Sequence, residues 1–316
     1  MQTAAYQEST RIQVNDHGES LKHSILKILA YFDVFHYPLL KSEITQFLDQ
    51  RVIEHALDKM LLVLEQEKII FRLDQFYSLR PDPLLEQMRK KGNQRAGALL
   101  AKGTRIGRFL FQFPGVRAIA ISGSLSKNHA PEKADIDFFI ITSPNRLWIA
   151  RTFMHLFKKL TFLTGSHHFY CMNYYIDQLA LEVPDKNIYN AIEIKTLMPV
   201  CGKKAMDDFV HLNGWTEQFL PACALRDQIQ SDPPPTWIKK LVEWIFSNKA
   251  GDQLDNWLMK ITARRWKRKE VRGKRNYKGR VMGLQTGKHF AWSNPESFRE
   301  KVLQLYNQKL EELKLQ

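Results

Sequence analysis

Residues 21–35, LKHSILKILAYFDVF, place Ile25, Leu26, Ile28, Leu29 and Phe32 at helical spacing, which predicts an amphipathic helix. After a turn at Tyr37-Pro38, KSEITQFL reads as a short helix capped by Ser42. Residues 51–66 read as a third helix, with Val52, Ile53, Ala56, Leu57, Met60, Leu61 and Leu64 inward. KIIFRLDQFYSL then alternates as a hairpin, with strands at 69–73 and 76–79 about a turn at Asp74-Gln75. Pro81 and Pro83 punctuate the chain before a long basic helix from Leu84 to Phe111, which breaks at Pro114-Gly115. Strands are predicted at 116–122 and 135–142, and Pro144 ends the second. RLWIARTFMHLFKKLTFL is an amphipathic helix on which Arg151 and Lys158-Lys159 read as an exposed face. CMNYYI at 171–176 and LALEV at 179–183 look strand-like, and helices dominate from Ile188 onward, past a Pro-Pro-Pro linker at 233–235.

This order divides the chain into a polar tail at 1–20, a first module at 21–80, a central domain at 81–200, and a basic, mostly helical C-terminal region at 201–316. The fold class is α+β: a small mixed sheet flanked by helices. Three helices and a hairpin within 21–80 resemble a winged helix-turn-helix, a motif that suggests DNA binding. Charge argues against that use. Residues 21–79 carry seven basic and eight acidic side chains, and the helix that would read a groove exposes Glu54, Asp58, Glu65 and Glu67. A groove-reading helix needs cations to offset phosphate repulsion, so protein contact or packing is the expected role.

The net charge of +14 is concentrated elsewhere. Residues 264–280 hold ten Lys or Arg against one Glu, with Trp266 and Tyr277 interleaved where they can stack on bases. A second basic run spans 89–108, from Arg89 to Arg108. Such clusters suit a polyanion, nucleic acid or nucleotide phosphate. No apolar run has the length of a membrane span, and the first twenty residues lack the apolar stretch of a signal peptide. Cys171, Cys201 and Cys223 are too scattered for a disulfide framework, so a cytoplasmic location is expected. His167-His168 lack the spaced partners of a metal site.

The chemistry centres on ISGSLSKNHAPEKADIDFFIIT, residues 121–142. On a strand Asp135 and Asp137 would share a face, about 7 Å apart, and repel unless a cation lies between them. A hard divalent ion with oxygen ligands answers that, Mg²⁺ being the usual one beside phosphates. Upstream, Gly123 lets backbone approach a ligand, and Ser124 offers a hydroxyl and an N–H to a phosphate oxygen. Ser126 can add a second hydroxyl, and Lys127 can reach a phosphate. Together these groups would hold a nucleoside triphosphate.

Gly123-Ser124, ten residues, then Asp135-Ile136-Asp137-Phe138 resembles the signature of the polymerase-beta-type nucleotidyltransferase superfamily. GSLSKN, ADIDFFIIT and RLWIARTF, with NYYID and LEVPDKNIYNAIEI, look like an uncharacterised bacterial subgroup of it; the likeness extends loosely over 21–200. The resemblance implies a nucleotidyltransferase-like sheet and two Mg²⁺ ions bridged by Asp135 and Asp137. It implies transfer of a nucleoside monophosphate from an NTP to an acceptor hydroxyl, with release of pyrophosphate. The acceptor is open, with RNA on the 264–280 segment one choice. Members of the superfamily carry a third carboxylate on a following strand. Asp177 at the end of CMNYYID, Glu182, or no residue are the three possibilities, Asn173 being an amide. An incomplete acid set would leave a nucleotide-binding relic, and a winged-helix DNA-binding regulator is the remaining alternative.

Overall fold

The computed structural model describes residues 2–132, 134–163, 165, 169–224, 231–273, 282–295 and 298–315. His167-His168 and the 274–280 half of the basic segment lie outside them. Helix α1 spans Gln2–Asp33, so the expected polar tail is helical backbone continuous with the first predicted helix; no proline interrupts it. Strand β1 (Leu39–Leu40), α2 (Lys41–Phe47), α3 (Glu54–Gln66), β2 (Phe71–Leu73) and β3 (Phe76–Ser78) follow, the strands forming an antiparallel sheet in the order β1-β3-β2. Two expectations differ in detail. Helix α2 begins before Ser42, with the Glu43 carboxylate accepting from the Leu40 N–H at 2.9 Å, and Ile53 precedes α3 and is exposed. Two of the acids of α3 are ion-paired, Lys41 joining Glu54 and Asp58.

Helix α4 (Pro83–Leu110) starts where Asp82 caps the Leu84 N–H and proline fills the first turn. Beyond it come β4 (Val116–Ser122), the single turn α5 (Gly123–Ser126), β5 (Asp137–Thr142), α6 (Leu147–Thr161) and β6 (Cys171–Asp177). Then follow α7 (Ile188–Lys195), β7 (Met198–Cys201), α8 (Lys203–Leu212), α9 (Trp237–Ile245), α10 (Lys249–Val271), β8 (Met282–Thr286), β9 (Phe290–Pro295) and α11 (Phe298–Glu312). The stretch 179–183 forms no strand.

A six-stranded mixed sheet runs in the order β7-β4-β5-β6-β9-β8. Only β5 and β6 pair in parallel, joined by α6 as a crossover; the other neighbours are antiparallel. Within the C-terminal region, which is otherwise mostly helical among the described residues, β8 and β9 complete the central sheet. One sheet face, with Ile119, Ile121, Phe138 and Ile140, packs with α4, α6 and α10 residues in one apolar core. The other, with Ala118, Ala120, Phe139 and Ile141, shares a second core with α1, α3, α7, α8 and α11. Helix α9 turns its polar side inward: Lys239 donates to the Phe111 and Val116 carbonyls (2.6 and 3.0 Å), and Glu243 meets Arg117 at 2.7 Å.

Two basic residues expected at the surface are buried. Arg151 lies near the Trp148 and Tyr175 rings, and Arg89 sits 3.7 Å over the Tyr37 ring while donating to Glu43 at 2.6 Å. Arg89 thereby locks α4 to the N-terminal module instead of offering charge to a polyanion. No described helix is long and apolar enough to cross a membrane.

Candidate functional site

Strand β4 ends at Ser122, which pairs directly with Asp137, the first residue of β5. The chain leaves β4 through Gly123 at a φ of 71°, in the left-handed region that glycine enters without strain. A Cβ there would lie 2.9 Å from Asp137 Oδ2, so the glycine also makes room for the carboxylate. The other Asp137 oxygen accepts from the Asn173 amide at 2.6 Å. Asp135 precedes the strand in irregular backbone, so the two acids are not placed by strand alternation as predicted. Asp137 lines the cavity and Asp135 is not among its lining residues. Burial pushes the Cys171 thiol up to about 12, and the charges of Asp137 and Asp135 add to that rise. That pKa excludes Cys171 as a thiolate nucleophile near neutrality.

Ser124 is exposed at the edge of the site, and Ser126 is buried with its hydroxyl donating to the Gly123 carbonyl at 2.9 Å. The Lys127 ammonium donates to the same carbonyl (3.1 Å) and to Glu193 on α7 (2.9 Å). The structure thus brings Gly123, Ser124, Lys127 and Asp137 to one cavity wall and turns Ser126 into a local brace.

That cavity, about 530 Å³, lies between the end of α1 and the sheet. Tyr31, Phe32, Phe35 and Tyr37 wall one side, and the Tyr37 hydroxyl donates to the Lys127 carbonyl at 2.5 Å. On the sheet, Phe139, Tyr174 and Trp292 form a ladder across β5, β6 and β9, with centroids 5.2 and 5.5 Å apart and planes 28° and 29° from parallel. Glu193 is the acid that sequence reasoning missed; its helical stretch NAIEIK carries no motif of its own.

Asp177 lies elsewhere. It pairs with Thr142 while Cys171 pairs with Asp137, which puts it five residues, about 17 Å, along the strands. Its fully buried carboxylate accepts from the Asn145 and Leu179 N–H groups (3.1 and 2.9 Å) and meets His289 Nδ1 at 2.8 Å. This is a strand-end anchor. Glu182 pairs at the surface with Lys186. The β6 side chain that reaches Asp137 is that of Asn173, the extra residue that an irregularity in the β5–β6 register adds to β6. The extra residue shifts alternation, so Asn173 and Tyr174 both reach the cavity while Tyr175 joins the opposite core.

Among the described residues no three His, Cys, Asp or Glu side chains group as a metal cage. An oxygen pair with no third protein ligand still fits Mg²⁺, which is commonly held by one or two carboxylates and completes its shell with water and substrate phosphates. Of the 264–280 segment, Arg264, Arg265, Lys267, Arg268 and Lys269 are exposed at the end of α10, with Lys269 4.9 Å over the Trp266 ring. No protein-family model, curated protein or solved structure matches the chain.

Proposed function

We propose that the protein is a nucleotidyltransferase that moves a nucleoside monophosphate from an NTP to an acceptor hydroxyl. The observation that carries this reading is the Ser122–Asp137 pairing, which sets the Gly123-Ser124 turn against the Asp137 carboxylate at the mouth of a cavity. Phosphate oxygens fit the exposed hydroxyl and N–H of Ser124. Asp135 and Asp137 would hold Mg²⁺, two ions by the family resemblance, which when bound supplies charge neutralisation at the phosphates and a more acidic acceptor hydroxyl. The acceptor oxygen bonds to the α-phosphorus as the bond to the pyrophosphate oxygen breaks, and pyrophosphate leaves with that electron pair. The hydroxyl proton passes to Glu193, the second carboxylate of the cavity and the substitute for an acid at Asn173. Lys127, shared between Glu193 and the Gly123 carbonyl, keeps a cation beside the turn.

The order α1-β1-α2-α3-β2-β3 supports reading residues 21–80 as a winged-helix-like module. Here it walls the cavity, and Glu54, Asp58 and Glu67 are paired within the chain, which favours packing over DNA reading. Asn173 beside Asp137 supports a second reading, nucleotide binding without turnover.

Calorimetry with Mg²⁺ and a non-hydrolysable ATP or GTP analogue, followed by transfer of α-labelled NTP, tests both. Binding that weakens at least tenfold in Asp137→Asn, with label transferred, supports the enzyme. Binding without transfer to any acceptor class selects the second reading, and no binding by any NTP overturns both. In an active enzyme Glu193→Gln should lower kcat by roughly 10²–10⁴ while leaving KM nearly unchanged.

A further inference from the structure

Ten of the twenty-four residues lining the cavity are Phe, Tyr or Trp, so its walls suit a flat apolar body and offer little to a sugar-phosphate chain. The volume of about 530 Å³ lies within the range of small-molecule sites, roughly 300–1,000 Å³. The Phe139–Tyr174–Trp292 ladder gives this body a shelf, and the aromatic residues closing α1 give it a roof.

The charges narrow the class further. Lys127 is matched by Glu193, and Arg299 at the rim by Asp185 and Glu300. Lining cations and carboxylates balance, Lys127 and Arg299 against Asp137 and Glu193. His129 adds none, because burial, with Arg89 and Arg95 nearby, holds its pKa down at about 4. An RNA end would bring phosphates beyond those of the NTP to a cavity whose own residues carry no surplus positive charge, and a polyamine would meet a Glu193 already paired with Lys127.

Two lining residues, His129 through Nδ1 and Tyr31 through its hydroxyl, keep a buried polar atom without a hydrogen-bond partner among the described residues. The Tyr31 hydroxyl is buried in the cavity wall. Glu193 and Tyr189 are close enough to act on it electrostatically. A buried hydroxyl without a partner is uncommon, and a ligand's polar substituent would satisfy it.

We infer that the acceptor is a small, planar, uncharged aromatic alcohol, its rings on the Phe139–Tyr174–Trp292 shelf and its hydroxyl directed to Asp137 and Glu193. The transfer step rests on the nucleotidyltransferase reading; the binding step does not. Transfer yields the aryl ester of the nucleoside monophosphate plus pyrophosphate, the phenolic proton going to Glu193.

The probe is 4-methylumbelliferone, a neutral bicyclic phenol whose fluorescence changes when its oxygen is esterified. With the full chain and neither metal nor nucleotide, fluorescence anisotropy should show one saturable site. Tyr31→Phe, which keeps the ring, should weaken it severalfold, and Ile194→Trp, which fills the cavity, at least tenfold. Thermal melts identify whether either variant has lost its fold. No saturable binding by the parent protein, or binding indifferent to Tyr31→Phe in a folded variant, overturns the inference. Adding NTP and Mg²⁺ then separates the two claims. Coumarin binding without ester formation keeps the ligand class and removes the transfer reading. Labelled RNA with no coumarin binding keeps the enzyme and removes the aromatic acceptor.

Discussion

On the face of the sheet covered by α4, α6 and α10, strand β4 presents Ile119 and Ile121; on the face turned toward α1 and α7 it presents Ala118 and Ala120. The first face closes. Gly103 and Gly107 bring α4 so near that a Cβ on either would come within 2.9 Å of Ile121 or Val200. The second face, with smaller strand residues and large aromatic neighbours, encloses the cavity. The two faces of one strand thus pack differently, as alternation allows, and the cavity lies on the face that carries the alanines.

The comparison breaks first at the acids. Asp135→Ala combined with Asp137→Ala should abolish labelled-nucleotide transfer, a loss of at least about 10⁴-fold, while urea unfolding changes little. Retained transfer would detach the chemistry from this face. Next, Phe138 and Phe139 are adjacent but face opposite ways. Phe138→Ala should cost about 3–5 kcal/mol by urea titration, because the close-packed side cannot collapse around the lost ring. Phe139→Ala should cost less, about 1–3 kcal/mol, and weaken coumarin binding, since it enlarges a space that already exists.

Acid should expose a third difference. An unfolded histidine takes its proton near pH 6.5, whereas folded His129 does so near 4, so between those values the unfolded chain binds more protons. Stability therefore falls as pH drops through that window, by less than the full shift implies, because the ring is only partly buried and solvent screens its charge. A His129→Asn variant measured by urea titration at pH 7 and pH 4.5 should lose most of this dependence. Smallest is Ser126→Ala, expected to cost about 1 kcal/mol and leave NTP binding unaltered, since its hydroxyl braces Gly123. A tenfold weaker NTP affinity would return Ser126 to the nucleotide.

Much of the frame was legible in the chain. Strand β4 was expected at its observed bounds, α4 and α6 within a residue or two, and the Gly123-Ser124 turn meets Asp137 because two antiparallel strands bring them together. Alternation failed on β6, where the extra residue at Asn173 breaks the period of two and leaves Asp177 as an anchor at the far end. Strands β8 and β9 escaped notice among basic and polar residues because pairing, of β9 with β6 and of β8 with β9, and not their own pattern, makes them strands. Glu193 escaped for a similar reason. Its place on the cavity wall goes with a long-range ion pair to Lys127, which local sequence does not encode.

The cavity draws on both ends of the chain: Tyr31 and Phe32 come from the first helix, Trp292, Phe298 and Arg299 from β9 and α11, and Tyr31 meets Tyr306 edge-on at 5.8 Å. During synthesis β6 must wait with an unpaired edge until β9 leaves the ribosome, for about 6–24 s at 5–20 residues per second. An exposed edge with an apolar face is where nascent chains associate wrongly. Pulse-labelled chains stopped before β8 should accordingly be aggregation-prone and chaperone-bound, and release should coincide with completion of the binding site.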